Sequence, residues 1–157
     1  MAEPLRAHDC APITDGAAAV IIAAGDRARD LCDRPAWISG FAHRIDSGSL
    51  GSRDLTVAPS AAAAGSATDA AGVDVAELHA PFTHQELILR AALGLGDSAQ
   101  ISPSGGALAG NPMFAAGLAR IGHAARAVSS GGAARALGHA TSGPALQQNL
   151  VCVLEER

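Results

Sequence analysis

The chain has 157 residues, 48% of them apolar and 17% charged, which is enough to close one hydrophobic core and too apolar for a disordered tail. All 11 basic residues are arginine, and the formal net charge is −4. A basic patch for nucleic acid, a Schiff-base lysine and a P-loop are therefore excluded. There is no tyrosine and only 3% of residues are aromatic, so the core must be built from Ala, Val, Leu and Ile. Cys10, Cys32 and Cys152 form no C-x-x-C pair, and no metal site is expected. An odd cysteine count and a start without a basic, apolar leader point to a cytoplasmic protein. The longest apolar stretch, Ala17 to Ala24, is too short to span a bilayer.

Residues 1–15 are polar, with Pro4 and Pro12, and read as an extended N-terminal segment; residues 16–157 read as one domain. Gly16 to Gly25 is a short apolar run with a β-branched centre, the pattern of a buried strand. Asp26 can cap a short helix to about Cys32, stopped by Pro35. Ala36 to Ile45 predicts a second strand, with Gly40 at a bulge. A polar loop follows over 46–58. Ser60 caps an alanine-rich helix to about Ala71, with Gly72 at its C′ position. Val73 to His79 predicts the third strand. Thr83 and Glu86 fit a capping box for a helix to Leu93, stopped by Gly94. Gly105 to Gly110 is a glycine-rich turn. Asn111-Pro112 reads as the N-cap and N1 of a helix whose apolar face is Phe114, Leu118, Ile121, Ala125 and Val128. Ala134 to Ala140 and Asn149 to Leu154 predict the last two strands. This alternation of strands and helices indicates an α/β fold.

Three segments can carry chemistry. Val75 to Thr83 places His79 at the end of a buried strand, where open α/β sheets put ligands; a hydrogen-bonded structural histidine fits the same spacing. Ser102 to Pro112 sets Gly105, Gly106 and Gly110 where backbone can approach a ligand closely. Asn111 can there aim its amide at an oxyanion or simply cap the helix. His139 to Pro144 forms a tight turn between two strands. Its Ser142 is not in a G-x-S-x-G elbow. His8, His43, His84 and His123 have no metal-ligand spacing, and Cys152 reads as a small core hydrophobe.

In order along the chain, these segments resemble the C-terminal half of thiolases. Cys10-Ala-Pro-Ile-Thr-Asp-Gly-Ala-Ala-Ala-Val resembles the segment that opens that half. Glu77-Leu-His-Ala-Pro-Phe-Thr resembles the "N-E-A-F-A" segment, and more closely the "H-D-C-F" version of the sterol-carrier-protein thiolases. Pro103-Ser-Gly-Gly-Ala-Leu-Ala-Gly-Asn-Pro resembles "G-G-x-x-x-x-G-H-P". The likeness runs from about His8 to Glu155 and is greatest to the lipid-transfer-protein, acetyl-CoA acetyltransferase-like branch. It implies a thiolase-like C-terminal α/β domain, a mixed five-stranded sheet with helices on both faces.

The resemblance also implies roles. His79 stands where the family's asparagine holds a water near the thioester oxygen, and can donate through a ring N–H. Asn111 replaces the G-H-P histidine and can donate a hydrogen bond but cannot exchange a proton at neutral pH. Ser142 lies in the turn that carries the family's second cysteine, with no evident base. Gly105, Gly106 and Gly110 would border a coenzyme A thioester; no permanently bound cofactor is implied. The family's nucleophilic cysteine belongs to the N-terminal half. The expected partners are therefore acyl-CoA and either a second copy, a thiolase N-terminal half, or a small protein with an OB-fold and zinc ribbon. Retro-aldol relatives use tyrosines, which this chain lacks. The alternatives are a non-catalytic acyl-CoA, lipid-binding or scaffolding module, or an inactive fragment.

Overall fold

A computed structural model describes residues 3–157. Its centre is one mixed sheet in the order β1-β5-β4-β2-β3. The strands are β1 (Trp37–Ile45), β2 (Val75–Glu77), β3 (Gln100–Ile101), β4 (Arg135–Ser142) and β5 (Gln148–Glu155). β2 runs parallel to both β3 and β4, while β5 is antiparallel to β4 and β1. The expected bulge is present, as a register shift between Ile38 and Gly40. A Cβ on Gly40 would come 2.9 Å from Thr68, so helix and strand touch backbone to backbone there.

The number of strands agrees with the sequence reading, but one strand is a different segment. Gly16 to Ala24 pairs with no strand, and Ile21 is 93% exposed. Gln100–Ile101 supplies the fifth strand instead. Apolar content makes a segment fit for a sheet but does not provide an edge to pair with. Here the segment lies along a helix, with Gly16 against Pro112 and Val20 over Gly122.

Helices cover both faces. α2 (Pro59–Thr68) and α3 (Thr83–Ala92) contribute to a core with Leu137, Val151 and Val153. α5 (Ala116–Ser129) contributes to a second core with Ala136, Cys152 and Leu154. Neighbours along β4 and β5 thus feed opposite cores, as the period-2 pleat requires. α1 (Gly25–Leu31) and the one-turn α4 (Gly106–Ala109) complete the set.

Several ends differ from expectation for local reasons. α2 starts with Pro59 at its first turn, and Ser60 turns its hydroxyl to Asp46 at 2.6 Å instead of capping. It stops at Thr68, because Asp69 takes the left-handed conformation three residues before Gly72. The capping box at α3 does not form; the Thr83 hydroxyl donates to Asp9 at 3.1 Å. Gly94 does follow the end of α3, at φ +65°. α5 begins at Ala116, not at Pro112, after a turn in which the Ala115 and Ala116 amides bond the Pro112 carbonyl.

The face of α5 is rotated as well. Its buried residues are Ala116, Arg120, Ala124 and Val128, while Phe114 is fully exposed and Leu118 is 38% exposed. The cause is close packing. A Cβ on Gly138 would come 2.6 Å from Ile121 Cα, and one on Gly117 would come 2.6 Å from Ala140 Cβ. Small residues let the helix sit close on β4; Ile121, Ala125 and Val128 of the expected face still pack on the second core, while Leu118 turns toward solvent.

Candidate functional site

β2 ends at Glu77, and two residues later His79 is buried beside Asn111, which follows α4. His79 Nε2 lies 3.2 Å from Asn111 Oδ1, and the Thr141 amide donates to His79 Nδ1 at 3.4 Å. These contacts settle the tautomer. A backbone N–H can only donate, so Nδ1 is the acceptor and the ring proton sits on Nε2. Nε2–H then needs an acceptor, which must be the Asn111 carbonyl oxygen. The amide orientation is thereby fixed, and Asn111 Nδ2 is left to donate elsewhere. Nδ2 has no hydrogen-bond partner among the described residues, yet it is not sealed from solvent. Burial and the Arg120 charge hold His79 below the usual imidazole range, against the opposing effect of its bonds to Asn111 and Thr141. His79 is therefore a neutral, doubly engaged ring that orients Asn111.

Beneath this pair lies a buried cluster that sequence reasoning missed. Glu77 and Arg120 are 2% and 5% exposed and form an ion pair at 3.4 Å. The Glu77 carboxylate also accepts the Ser104 amide at 3.0 Å and the Ser104 hydroxyl at 2.6 Å. Arg120 donates to the same hydroxyl at 2.9 Å, while its Nε is buried without a partner. Burial pushes the Arg120 guanidinium below its ordinary value, with Glu77 opposing. The cluster ties β2, the glycine-rich turn and α5 together and fixes the span between His79 and Asn111. The available signal was an arginine spaced four residues from Ala116 and Ala124 along one helix face, a charge in an otherwise apolar stripe.

The glycines have local roles. Gly105 and Gly106 have φ of +93° and +61°, and a Cβ on Gly105 would meet Ala109 at 2.6 Å. Their backbone requires glycine whether or not a ligand is present. Gly110 is extended, and a Cβ there would stand 3.7 Å from Thr14 Oγ1. Ser142 is exposed at the end of β4, one residue beyond Thr141. It borders a shallow cavity of about 180 Å³ with His43, Ala140 and Gln148, and its hydroxyl makes no hydrogen bond among the described residues. The structure thus brings His79 and Asn111 into contact and places Ser142 next to the residue that binds His79.

Both turns flanking His79 hold non-glycine residues in left-handed backbone. They are Ser102 (φ 46°) before the glycines, and Ala145 (φ 50°) and Leu146 (φ 56°) after Ser142. Such conformations cost about 1 kcal/mol or more each and persist where neighbours enforce them. Here Ser102 Oγ accepts the Leu78 amide, Arg53 bonds the Pro144 and Ala145 carbonyls, and Asn149 bonds the Leu146 carbonyl.

Behind the site His139 is fully buried, with Nε2 2.9 Å from Asn149 Oδ1. Burial pushes His139 down to about 4, and Cys152, likewise buried, up to about 11. Cys152 is thus an inert core thiol. No group of His, Cys, Asp and Glu among the described residues can hold a metal ion. No helix among them is long and apolar enough to cross a membrane.

No family model matches the chain. An acetyl-CoA acetyltransferase of Methanothermobacter thermautotrophicus is 31% identical over 145 residues, covering 76% of this chain and 38% of that protein. An acetyl-CoA acetyltransferase of Methanocaldococcus jannaschii is 30% identical over 151 residues, covering 78% and 38%. The chain therefore spans under two-fifths of the length of these relatives. The crystal structure of human mitochondrial 3-ketoacyl-CoA thiolase superposes with a TM-score of 0.58 at 21% identity, covering 78% of this chain and 30% of that one. The fold is that of part of a thiolase, and the sequence is similar to acetyl-CoA acetyltransferases.

Proposed function

We propose that this chain is one part of a thiolase-like acyl-CoA enzyme of the sterol-carrier-protein or lipid-transfer branch, and that it binds the thioester and polarises its carbonyl. The observation that carries this reading is the His79–Asn111 pair at the strand end, in a chain with thiolase fold and acetyltransferase-like sequence. Asn111 Nδ2 donates to the thioester oxygen, and the bond strengthens as negative charge builds there. His79 holds that amide in place through Nε2–H. Gly105, Gly106 and Gly110 keep the neighbouring turn free of side chains, and Ser142 sits at the rim.

The nucleophile and the proton-transfer group come from the rest of the assembly, either a thiolase-like N-terminal half or another partner chain. Asn111 cannot return a proton, and both nitrogens of His79 are occupied. The same fact supports a second reading, in which the chain holds acyl-CoA without turning it over. The working compartment in either case is the cytoplasm.

Calorimetric titration with acetyl-CoA tests the site. Saturable binding is expected, weakened about tenfold in Asn111→Ala, the value of one lost hydrogen bond. His79→Ala should weaken binding less, since it loosens the amide without removing it. The reading fails if acetyl-CoA does not bind, or if Asn111→Ala binds as tightly as the parent. Turnover by the chain alone would place a nucleophile within it.

A further inference from the structure

Every carbonyl from Pro144 to Gln147 in the β4–β5 turn is held by a group outside that stretch. Arg53 donates to the Pro144 carbonyl at 3.0 Å through one terminal nitrogen and to the Ala145 carbonyl through the other. The Asn149 side chain donates to the Leu146 carbonyl at 2.8 Å, and the Asp46 amide to the Gln147 carbonyl at 2.9 Å. The turn needs this support. Ala145 and Leu146 are consecutive residues in left-handed backbone, which residues with a Cβ disfavour. The left-handed Leu146 is at the same time buried in the core that holds Val151.

Arg53 and Asp46 belong to the polar loop between β1 and α2, and Asn149 is tied to the same loop. Asn149 donates to the Ser60 hydroxyl at 2.8 Å, and that hydroxyl donates to Asp46. The loop is itself braced. The Ser47 and Ser52 hydroxyls are 3.0 Å apart, and Asp54 accepts the Thr56 amide and hydroxyl at 2.9 and 2.6 Å. It also lies at the site's end of the sheet. β4 runs parallel to β2, and β1, antiparallel to β5, runs parallel to β4. The ends of β1, β2 and β4, which lead to Asp46, His79 and the turn, therefore lie together.

Thr141 and Ser142 are the last paired residues of β4, opposite Asn149 and Gln148. The Thr141 amide is also the donor to His79 Nδ1. A turn that relaxed would fray these pairs first and take that donor from His79. We propose that Arg53 is a positioning residue. Its two-pronged hold on the Pro144 and Ala145 carbonyls keeps the β4–β5 turn left-handed, and so keeps Thr141 against His79 and Ser142 at the rim. The planar guanidinium fits two successive carbonyls at once, which a single ammonium does not. The effect on ligand rests on the reading of His79 and Asn111 as the thioester site, whereas the effect on Thr141 and His79 does not.

Arg53→Ala and Arg53→Lys test the assignment by amide hydrogen exchange, nitrogen spectra of the His79 ring and calorimetric titration with acetyl-CoA. In Arg53→Ala the Thr141 amide should exchange on the order of 100-fold faster, with the Val153 amide of β5 little changed. The His79 Nδ1 resonance should move toward that of an unbonded ring. Acetyl-CoA should bind about threefold more weakly, less than the effect of Asn111→Ala because Arg53 acts through His79. Arg53→Lys keeps the charge without the fork and should show the same losses. Methylguanidinium, but not methylammonium, should reverse them in Arg53→Ala. An unmoved Thr141 amide and His79 ring in Arg53→Ala overturn the proposal. Equal acceleration of Thr141 and Val153 overturns it too, since Arg53 would then serve stability alone. So does full acetyl-CoA binding by Arg53→Lys beside weakened binding by Arg53→Ala, which would make Arg53 a charge for the anionic coenzyme. If the parent chain does not bind acetyl-CoA, the thioester reading fails, and the exchange and ring spectra still decide the role of Arg53.

Discussion

At the scale of single residues, the arrangement around His79 turns on which atoms can donate. The Thr141 amide has no choice, so it imposes acceptor character on Nδ1, and that in turn imposes the orientation of the Asn111 amide. This chain of constraint yields a spectroscopic prediction. Long-range proton–nitrogen spectra of the imidazole should show the proton on Nε2. The ring should stay neutral to below the ordinary histidine range, because burial and Arg120 both oppose protonation. In Asn111→Ala the Thr141 amide still holds Nδ1 as an acceptor, so the proton should stay on Nε2 and only its resonance should move as it loses the Asn111 oxygen. An Nδ1-protonated ring in the parent chain would contradict the assignment and reverse the role given to Asn111.

At the scale of elements, the Glu77–Ser104–Arg120 cluster joins β2, the glycine-rich turn and α5. Removing one partner of a buried ion pair leaves an uncompensated charge, which costs about 3–5 kcal/mol. Arg120→Met should therefore lower stability by roughly that amount. Glu77→Gln, whose single amide oxygen can accept on one side only and which leaves the Arg120 charge unpaired, should cost a similar amount. Because the two residues share one network, the double variant should be more stable than the sum of the singles by about 1–3 kcal/mol. Urea unfolding of the four proteins measures this coupling, and additive costs would show that the pair is not a unit.

The same elements show which signals the sequence carries. β1 with its bulge, β4 and β5 lie where the sequence reading puts strands, in short runs rich in apolar residues, and the sheet's helix-covered faces follow from strand–helix alternation. The capping box at Thr83 was lost to Asp9, a residue 74 positions away in sequence, which no local pattern reports. The expected stripe on α5 holds for Ile121, Ala125 and Val128 and fails for Phe114 and Leu118, because bulk alone does not decide burial. The closest helix–sheet approaches are at Gly117 of α5 and Gly138 of β4, and an arginine, Arg120, shares the buried face of α5 with Ala116 and Ala124. His79 and Asn111 were legible by their place at a strand end and after the glycines. Their contact was not, because it depends on how the turn folds back over β2.

At the scale of the whole molecule, the buried histidines govern how stability responds to acid. His139 is fully buried and depressed to about 4, and His79 is depressed in the same direction. Above about pH 6.5, the ordinary histidine value, both are neutral in the folded and unfolded states and contribute no pH dependence. As pH falls below that value, the unfolded chain binds protons that the folded chain refuses. Stability therefore declines as pH falls below about 6.5, for His139 down to about 4, by at most about 1.4 kcal/mol per pH unit for each histidine that only the unfolded chain protonates. Asp9 and Asp54, both held below the usual carboxylate value by hydrogen bonds, act in the same sense at lower pH still. Urea midpoints measured from pH 8 to pH 4 should be flat at first and then fall. His139→Gln keeps a donor for Asn149 and does not titrate, so it should be less stable at pH 7 and lose stability less steeply below 6.5. If its profile is as steep as that of the parent, the acid sensitivity belongs to other groups, and His139 is protonated in the folded chain.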